Sequence, residues 1–421
     1  MNNILTKSWA VPQEAQRLLI HGLVFLLPFL ALISNFGVGF CSFAFLLAAL
    51  LCWRAAWPAL LRHLSEIRGV LIAFGLSFAF ALAGFLFKHD LHLRTLEKPS
   101  RMLFAVTVAL TVLACRPNRK VLWYGLVAGA CAGAVFILYQ RWVMGIDRPG
   151  GLINSITFGD IVLCMGLMSL AGVLDFKGRA ALWPGLGVLA GLVGSVGTGT
   201  RGGWVAIIFA AVLFLKYGRY LRGRYVKMLA LLALALLLST YFIPQTGALE
   251  RLEEGVNDVE TYVNGGSAYT HMGVRFELWK GAGMLIERHP WSGATLPQVR
   301  AELTQLTVEG KVHPFVLESP HFHNDMLQEL VFGGIPGCLV WFGTLLMPFL
   351  FFLRILRTHE SARANPAQIA LALAGMLLVL GYFSFGLTEV IFWSVRSSMF
   401  YALMLFLIIG LCLNAKEHDG K

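Results

Sequence analysis

Apolar runs close to the thickness of a bilayer recur from one end of this chain to the other, and that recurrence limits the folds open to it. Hydrocarbon offers no water to backbone N–H and C=O groups, so a chain that crosses it must be helical or close into a barrel. The runs are rich in glycine and lack the apolar–polar alternation of barrel strands, which leaves helices. Charge agrees. Only 14% of the 421 residues are charged and 57% are hydrophobic, whereas a soluble domain carries about a quarter charged residues. The chain reads as an all-α polytopic membrane protein.

Spans are predicted near 18–34, 38–57, 69–87, 101–115, 121–144, 156–174, 180–197, 203–216, 226–244, 327–353, 367–388 and 391–414, about twelve transmembrane helices. The first run has no small-residue cleavage site and is read as a retained span. Alternate loops carry Arg54, Arg62 and Arg68, then Arg116, Arg119 and Lys120, then Lys177 and Arg179, with further basic clusters at 216–227 and 354–363. The positive-inside rule puts that set and both termini in the cytoplasm. Topology thus accounts for most of the +11 net charge, and no nucleic-acid partner is inferred. The seven cysteines show no CxxC or metal spacing and read as small core residues. Three parts follow: nine spans in 1–244, a large outward loop in 245–326, and three spans with a short tail in 327–421.

The outward side carries the chemistry. In "GSVGTGTRGGW", Gly194 to Trp204, the GxGxxG match follows a membrane helix rather than a strand, so a dinucleotide site fails on context. Glycines that admit an anion and a forked guanidinium at Arg201 suit phosphate. An arginine reaching for lipid headgroups fits the same residues. In the large loop, Val274, Leu278, Ala282 and Leu285 repeat at helical spacing with Arg275, Glu277 and Lys280 between them, predicting an amphipathic helix at the interface. Arg275 on that helix, one turn before Trp279, is a second cation able to converge with Arg201 on a diphosphate. Arg141, Arg148 and Arg396 are further outward arginines.

The stretch "ESPHFHNDMLQELVFGGIPG", Glu318 to Gly337, marks the return to the membrane. Ser319–Pro320 is a helix-start pair, which predicts His321, His323 and Asn324 in the first turn. Histidines two apart on a helix point to nearly opposite sides, which disfavours a zinc pair unless the segment is extended, and no metal site or cofactor is expected. The positive end of a helix keeps an imidazole neutral, as a general base requires. Glu389, in "GLTEVIFW" between the last two spans, either positions an arginine or a sugar, or is a solvated turn acid.

Three segments together resemble the O-antigen ligase and polymerase superfamily: "TRGG" at 200–203, "GVRFELWKGA…HPWSGA" at 273–294, and "HN" at 323–324 followed by "GIPG" at 334–337. Within it the chain most resembles the lipopolysaccharide O-antigen ligases. It departs from the family pattern at "SGAT", where a second glycine often follows. The resemblance implies a metal-independent, inverting glycosyltransferase of GT-C type in the bacterial inner membrane, with a periplasmic site and periplasmic interfacial helices. It implies an undecaprenyl-diphosphate-linked glycan as donor and a lipid A-core sugar as acceptor, both held among membrane lipids. By motif, Arg201 and Arg275 would bind the diphosphate and His323 would activate the acceptor hydroxyl. His321, Asn324, Gly334, Gly337, Trp279 and Glu389 would support them. An O-antigen polymerase, a protein O-oligosaccharyltransferase and, in a different class, a lipid-linked glycan flippase remain as alternatives.

Overall fold

The computed structural model describes residues 13–87, 94–200, 202–217, 248–358 and 365–418. The span expected near 226–244 and Arg201 lie outside the described residues. Among those described there is no β-strand, and eight helices are long and apolar enough to cross a membrane. Three shorter apolar helices accompany them, at 16–30, 37–51 and 202–217. The chain is a multi-pass helical membrane protein.

In order, the helices are α1 (Gln13–Leu30), α2 (Gly37–Leu51), α3 (Trp53–Phe87), α4 (Arg94–Phe104), α5 (Val106–Cys115), α6 (Lys120–Trp142), α7 (Ser155–Gly172), α8 (Leu182–Gly197) and α9 (Val205–Tyr217). After the undescribed stretch come α10 (Ala248–Val263), α11 (His271–Arg288), α12 (Leu296–Val308), α13 (Asp325–Thr358), α14 (Pro366–Gly386) and α15 (Val395–His418). The second and third predicted spans were separated by a basic loop. Instead, α3 runs unbroken for 35 residues and carries Arg54, Arg62 and Arg68 on its first half. Pro58 lies inside the helix, in its second turn, and the helix continues through it at the loss of one backbone hydrogen bond.

Helices α14 and α15 are apolar on all sides and buried on all sides, which makes them the centre of the bundle. Helix α3 is the opposite case. Leu61, Leu64, Ile72 and Leu76 are exposed, the surface expected of a helix bathed in lipid. Association inside a bilayer depends on close backbone approach rather than on water exclusion. Helices α7 and α8 show it: a Cβ added to Gly191 would lie 2.7 Å from the Gly166 Cα.

A second apolar core lies outside the bundle. Leu278, Ala282 and Leu285 of α11 pack with Val299, Leu303 and Leu306 of α12, and with Val312, Phe315, Phe322 and Val331. The amphipathic helix predicted at the interface therefore turns its apolar face into a small domain of its own. Glu277, expected on the polar face, is buried there. It accepts bonds from the Tyr262 hydroxyl and the His313 amide, each at 2.7 Å, and so ties α10, α11 and the following turn together.

This domain locks onto α13 through the Pro290–Ala294 segment. The Ala294 amide donates to the Val331 carbonyl and the Ile335 amide to the Pro290 carbonyl, both at 2.8 Å. Helix α13 is kinked between those bonds at Gly334, whose φ of 62° and ψ of −167° are open essentially to glycine alone. A Cβ at Gly334 would also meet the Trp291 and Pro290 carbonyls. At Gly337 its tight contact would be the ring of Phe80, which can move, with the Glu329 carbonyl at an ordinary 3.5 Å. Gly334→Ala should therefore lower stability in detergent by at least about 2 kcal/mol, and clearly more than Gly337→Ala. Thermal unfolding of the two variants checks the order.

Candidate functional site

Residues 319–324 form no helix, contrary to the start predicted at Ser319–Pro320. Helix α13 begins at Asp325, and Asn324 caps it, its Oδ1 accepting from the Leu327 amide at 3.0 Å. The preceding strap is held along its length by side chains. Ser319 Oγ donates to the His321 carbonyl at 2.8 Å. The Phe322 amide donates to Gln328 Oε1 at 3.2 Å, and its carbonyl accepts from Trp279 Nε1 at 3.0 Å. Asn324 Nδ2 donates to the Leu387 carbonyl at 3.1 Å, tying the strap to the loop between α14 and α15. His323 has a φ of 49°, a left-handed conformation uncommon for a residue other than glycine.

Because the strap is not helical, the two imidazoles converge instead of diverging. They meet on Glu389, which is 3% exposed at its side chain. His323 Nδ1 lies 2.9 Å from Oε2 and His321 Nε2 lies 3.2 Å from Oε1, while the Val390 amide donates to Oε1 at 3.1 Å. Glu389 is thus a buried acceptor between two rings, not a solvated turn acid. Burial acts to raise its pKa, but the hydrogen bond from His323, the charges of both rings and the Val390 amide outweigh it, so the carboxyl sits below its usual range. Burial lowers His321, the Glu389 charge opposes that, and the His323 charge adds to it. A neutral ring fits its bonds: Nδ1 accepts from the His323 amide at 3.4 Å, leaving the hydrogen on Nε2 for Glu389. For His323, donation from Nδ1 leaves Nε2 as the basic nitrogen.

Arg275, on the first turns of α11, is half-buried and makes no hydrogen bond or ion pair among the described residues. Burial pulls its guanidinium below the ordinary value, the Glu389 charge raises it, and the Arg148 charge lowers it again. Arg275 therefore feels two opposing charges, the carboxylate of Glu389 and the guanidinium of Arg148. Arg141 and Arg396 are committed elsewhere. The first donates to the Gly197 carbonyl at 3.0 Å, and the second holds Asn35 Oδ1 at 2.8 Å. Arg201 lies outside the described residues, but its neighbours come to the same place. Gly202 abuts Thr388, next to Glu389, with no room for a side chain, and Gly203 abuts the buried carboxylate of Asp160.

The loop that presents Glu389 is itself fastened. Asp325 Oδ1 accepts from the Phe392 amide at 3.3 Å, and the Phe392 carbonyl accepts from Lys98 Nζ and Ser398 Oγ, each at 3.0 Å. Lys98 belongs to α4, so that short helix has a structural task here.

Part of this arrangement falls within a stretch that matches a known family: residues 186–342 match the family described as O-Antigen ligase. Over that stretch the chain is similar to the O-antigen ligases. An O-antigen ligase of Escherichia coli is 26% identical over 208 residues, covering 48% of this chain and 45% of that one. The chain thus spans less than half the length of that relative. An uncharacterized protein of Haemophilus influenzae is 22% identical over 274 residues, covering 64% of this chain and 68% of that one. The matched stretch contains Arg201, Arg275, Trp279, His321, His323, Asn324, Gly334 and Gly337, and it stops before Glu389.

Gln328, Asp325 and Lys98, which build the strap and its loop, drew no notice in the sequence. Only Gln328 left a trace there, as a polar residue within an apolar helical run. The acid–base state of the strap is testable. The folded state holds His321 neutral, so its contribution is full above the ordinary value of 6.5 and falls as the pH drops below it. Glu389 adds a loss at lower pH, when its carboxylate is protonated. Amide protection across 321–324, measured relative to the intrinsic exchange rate at each pH, should therefore fall on going from about pH 7 to about pH 5, while protection in α14 stays high. A strap equally protected at both values, measured by mass spectrometry, would contradict this electrostatic reading.

Proposed function

We propose that this chain transfers a glycan from undecaprenyl diphosphate to a sugar hydroxyl of lipid A-core at the periplasmic face of the inner membrane. The observation that carries the reading is the His323–Glu389 pair within electrostatic reach of Arg275, whose guanidinium has no hydrogen-bond or ion-pair partner among the described residues. The match to the family supports the reaction class, and the donor and acceptor rest on the resemblance.

In this reading Glu389 accepts the Nδ1 hydrogen of His323 and fixes the ring with Nε2 toward the acceptor. Nε2 takes the hydroxyl proton as the acceptor oxygen attacks the anomeric carbon. The bond from that carbon to the diphosphate oxygen breaks, and its electron pair leaves with the diphosphate. Arg275 and Arg201 neutralise the charge that grows there, which a lipid diphosphate allows without a metal. Attack opposite the leaving group inverts the anomeric centre. The imidazolium formed on His323 is stabilised by Glu389, which stays ionised because its pKa is held low. Trp279 and Asn324 keep the strap in place, and His321 steadies the far oxygen of Glu389.

The test is a ligation assay with purified protein, undecaprenyl-diphosphate glycan and lipid A-core, run with and without EDTA. His323→Ala and Glu389→Gln should each lose about 10²- to 10⁴-fold in turnover. Arg275→Ala should lose about as much, and Arg275→Lys should recover only part. Glu389→Gln at wild-type rate would remove the dyad from the mechanism. Chain extension with lipid-linked glycan as the only substrate would make the protein a polymerase.

A further inference from the structure

His321, His323 and Glu389 also have the composition of a metal-binding triad. Their ligand atoms, Nε2, Nδ1 and a carboxylate oxygen, all lie within 4.8 Å of one another. Ligands on a tetrahedral zinc stand about 3.4 Å apart at bond lengths near 2.1 Å. The two histidine–carboxylate contacts, 3.2 Å from His321 to Oε1 and 2.9 Å from His323 to Oε2, are close to that spacing, one on each carboxylate oxygen. The rings have to turn a little for both to meet one ion held by the carboxylate. Two imidazoles and one carboxylate suit zinc and neighbouring transition metals, and not magnesium or calcium, which take oxygen ligands.

The surroundings are those of a prepared site. The carboxylate is oriented by the Val390 amide, and the strap that carries both rings is anchored at Phe322 by Trp279 and Gln328. Access is through His323, whose side chain is 25% exposed while those of Glu389 and His321 are 3% and 10%. Three protein ligands would leave a fourth position open on the exposed side of His323.

We propose that this triad binds a divalent transition-metal ion, zinc being the best fit, and that the ion switches the site off. The metal binding stands on the three side chains alone. The inhibition rests on the function proposed above. A metal on His323 Nδ1 moves the ring hydrogen to Nε2, which can then no longer accept the proton of a hydroxyl. On His321 the hydrogen moves to Nδ1, at the expense of the long 3.4 Å bond from the His323 amide. Glu389 is tied up as well, and the local charge beside Arg275 rises by two.

The experiment uses the full chain in detergent. Zn²⁺ is titrated against a chromophoric chelator, and Co²⁺ is added separately to read its visible ligand-field bands. One equivalent should bind, with visible bands characteristic of nitrogen and oxygen ligands in a four- or five-coordinate site. Affinity should drop at least tenfold in His321→Ala and in Glu389→Gln. It should be retained in His289→Ala, which removes the histidine of the other close His–Glu pair, His289–Glu302 at 2.6 Å. Equal affinity in all four proteins, or no cobalt bands in the wild type, would overturn the site; the second needs no variant to fold. In the ligation assay, transfer should fall at least tenfold in step with zinc occupancy and return with EDTA. Zinc bound at this triad with transfer unaffected, or transfer that requires the metal, would overturn the switch. Metal binding without ligation under any condition would instead count against the proposed function and leave the metal site standing.

Discussion

Irregular backbone beside a bilayer has to find its hydrogen-bond partners within the protein, and here two irregular segments find them largely in each other. The strap at 319–324 reaches the α14–α15 loop through Asn324 and Leu387, and through His323 and Glu389. Asp325, the first residue of α13, returns to that loop at Phe392. Helix α11 closes the strap from the other side, with Trp279 on the Phe322 carbonyl. Each contact satisfies a group that lipid would leave unpaired, and together they allow a strained left-handed histidine to persist. The position of the bases follows from this mutual satisfaction.

Electrostatics then concentrates on one carboxylate. Glu389 faces two imidazoles directly and its charge acts on Arg275. Burial alone would favour its neutral form, and the groups around it reverse that preference. The same low-dielectric setting keeps His321 neutral and makes the buried guanidinium of Arg275 costly to hold without an anion, a cost the Glu389 charge partly offsets. A site built this way holds protons, anions or a soft cation with the same few atoms, so the proposed catalysis and the proposed metal inhibition are two uses of one geometry.

The motif residues were legible because they answer local demands. Gly334 meets a backbone conformation closed to other residues, and Leu278, Ala282 and Leu285 meet helical periodicity. The errors have one cause. Ser319–Pro320 carries good local helix-start chemistry, yet tertiary anchors at Gln328, Trp279 and Leu387 hold that backbone out of the helix. Glu277 belongs by periodicity to a polar face, but a tyrosine and an amide from distant segments make its burial favourable. Its pattern carried no sign of those partners.

The sequence by itself determined a helical membrane chain, a segment similar to the O-antigen ligases, and a polar cluster where the chain returns to its bundle, since composition, period and glycine placement act over a few residues. Only the tertiary structure decided that His321 and His323 turn toward one another and that Glu389, 66 residues beyond His323, stands between them. Side-chain direction in a non-helical strap depends on what fastens it, and those fastenings come from helices far away along the chain.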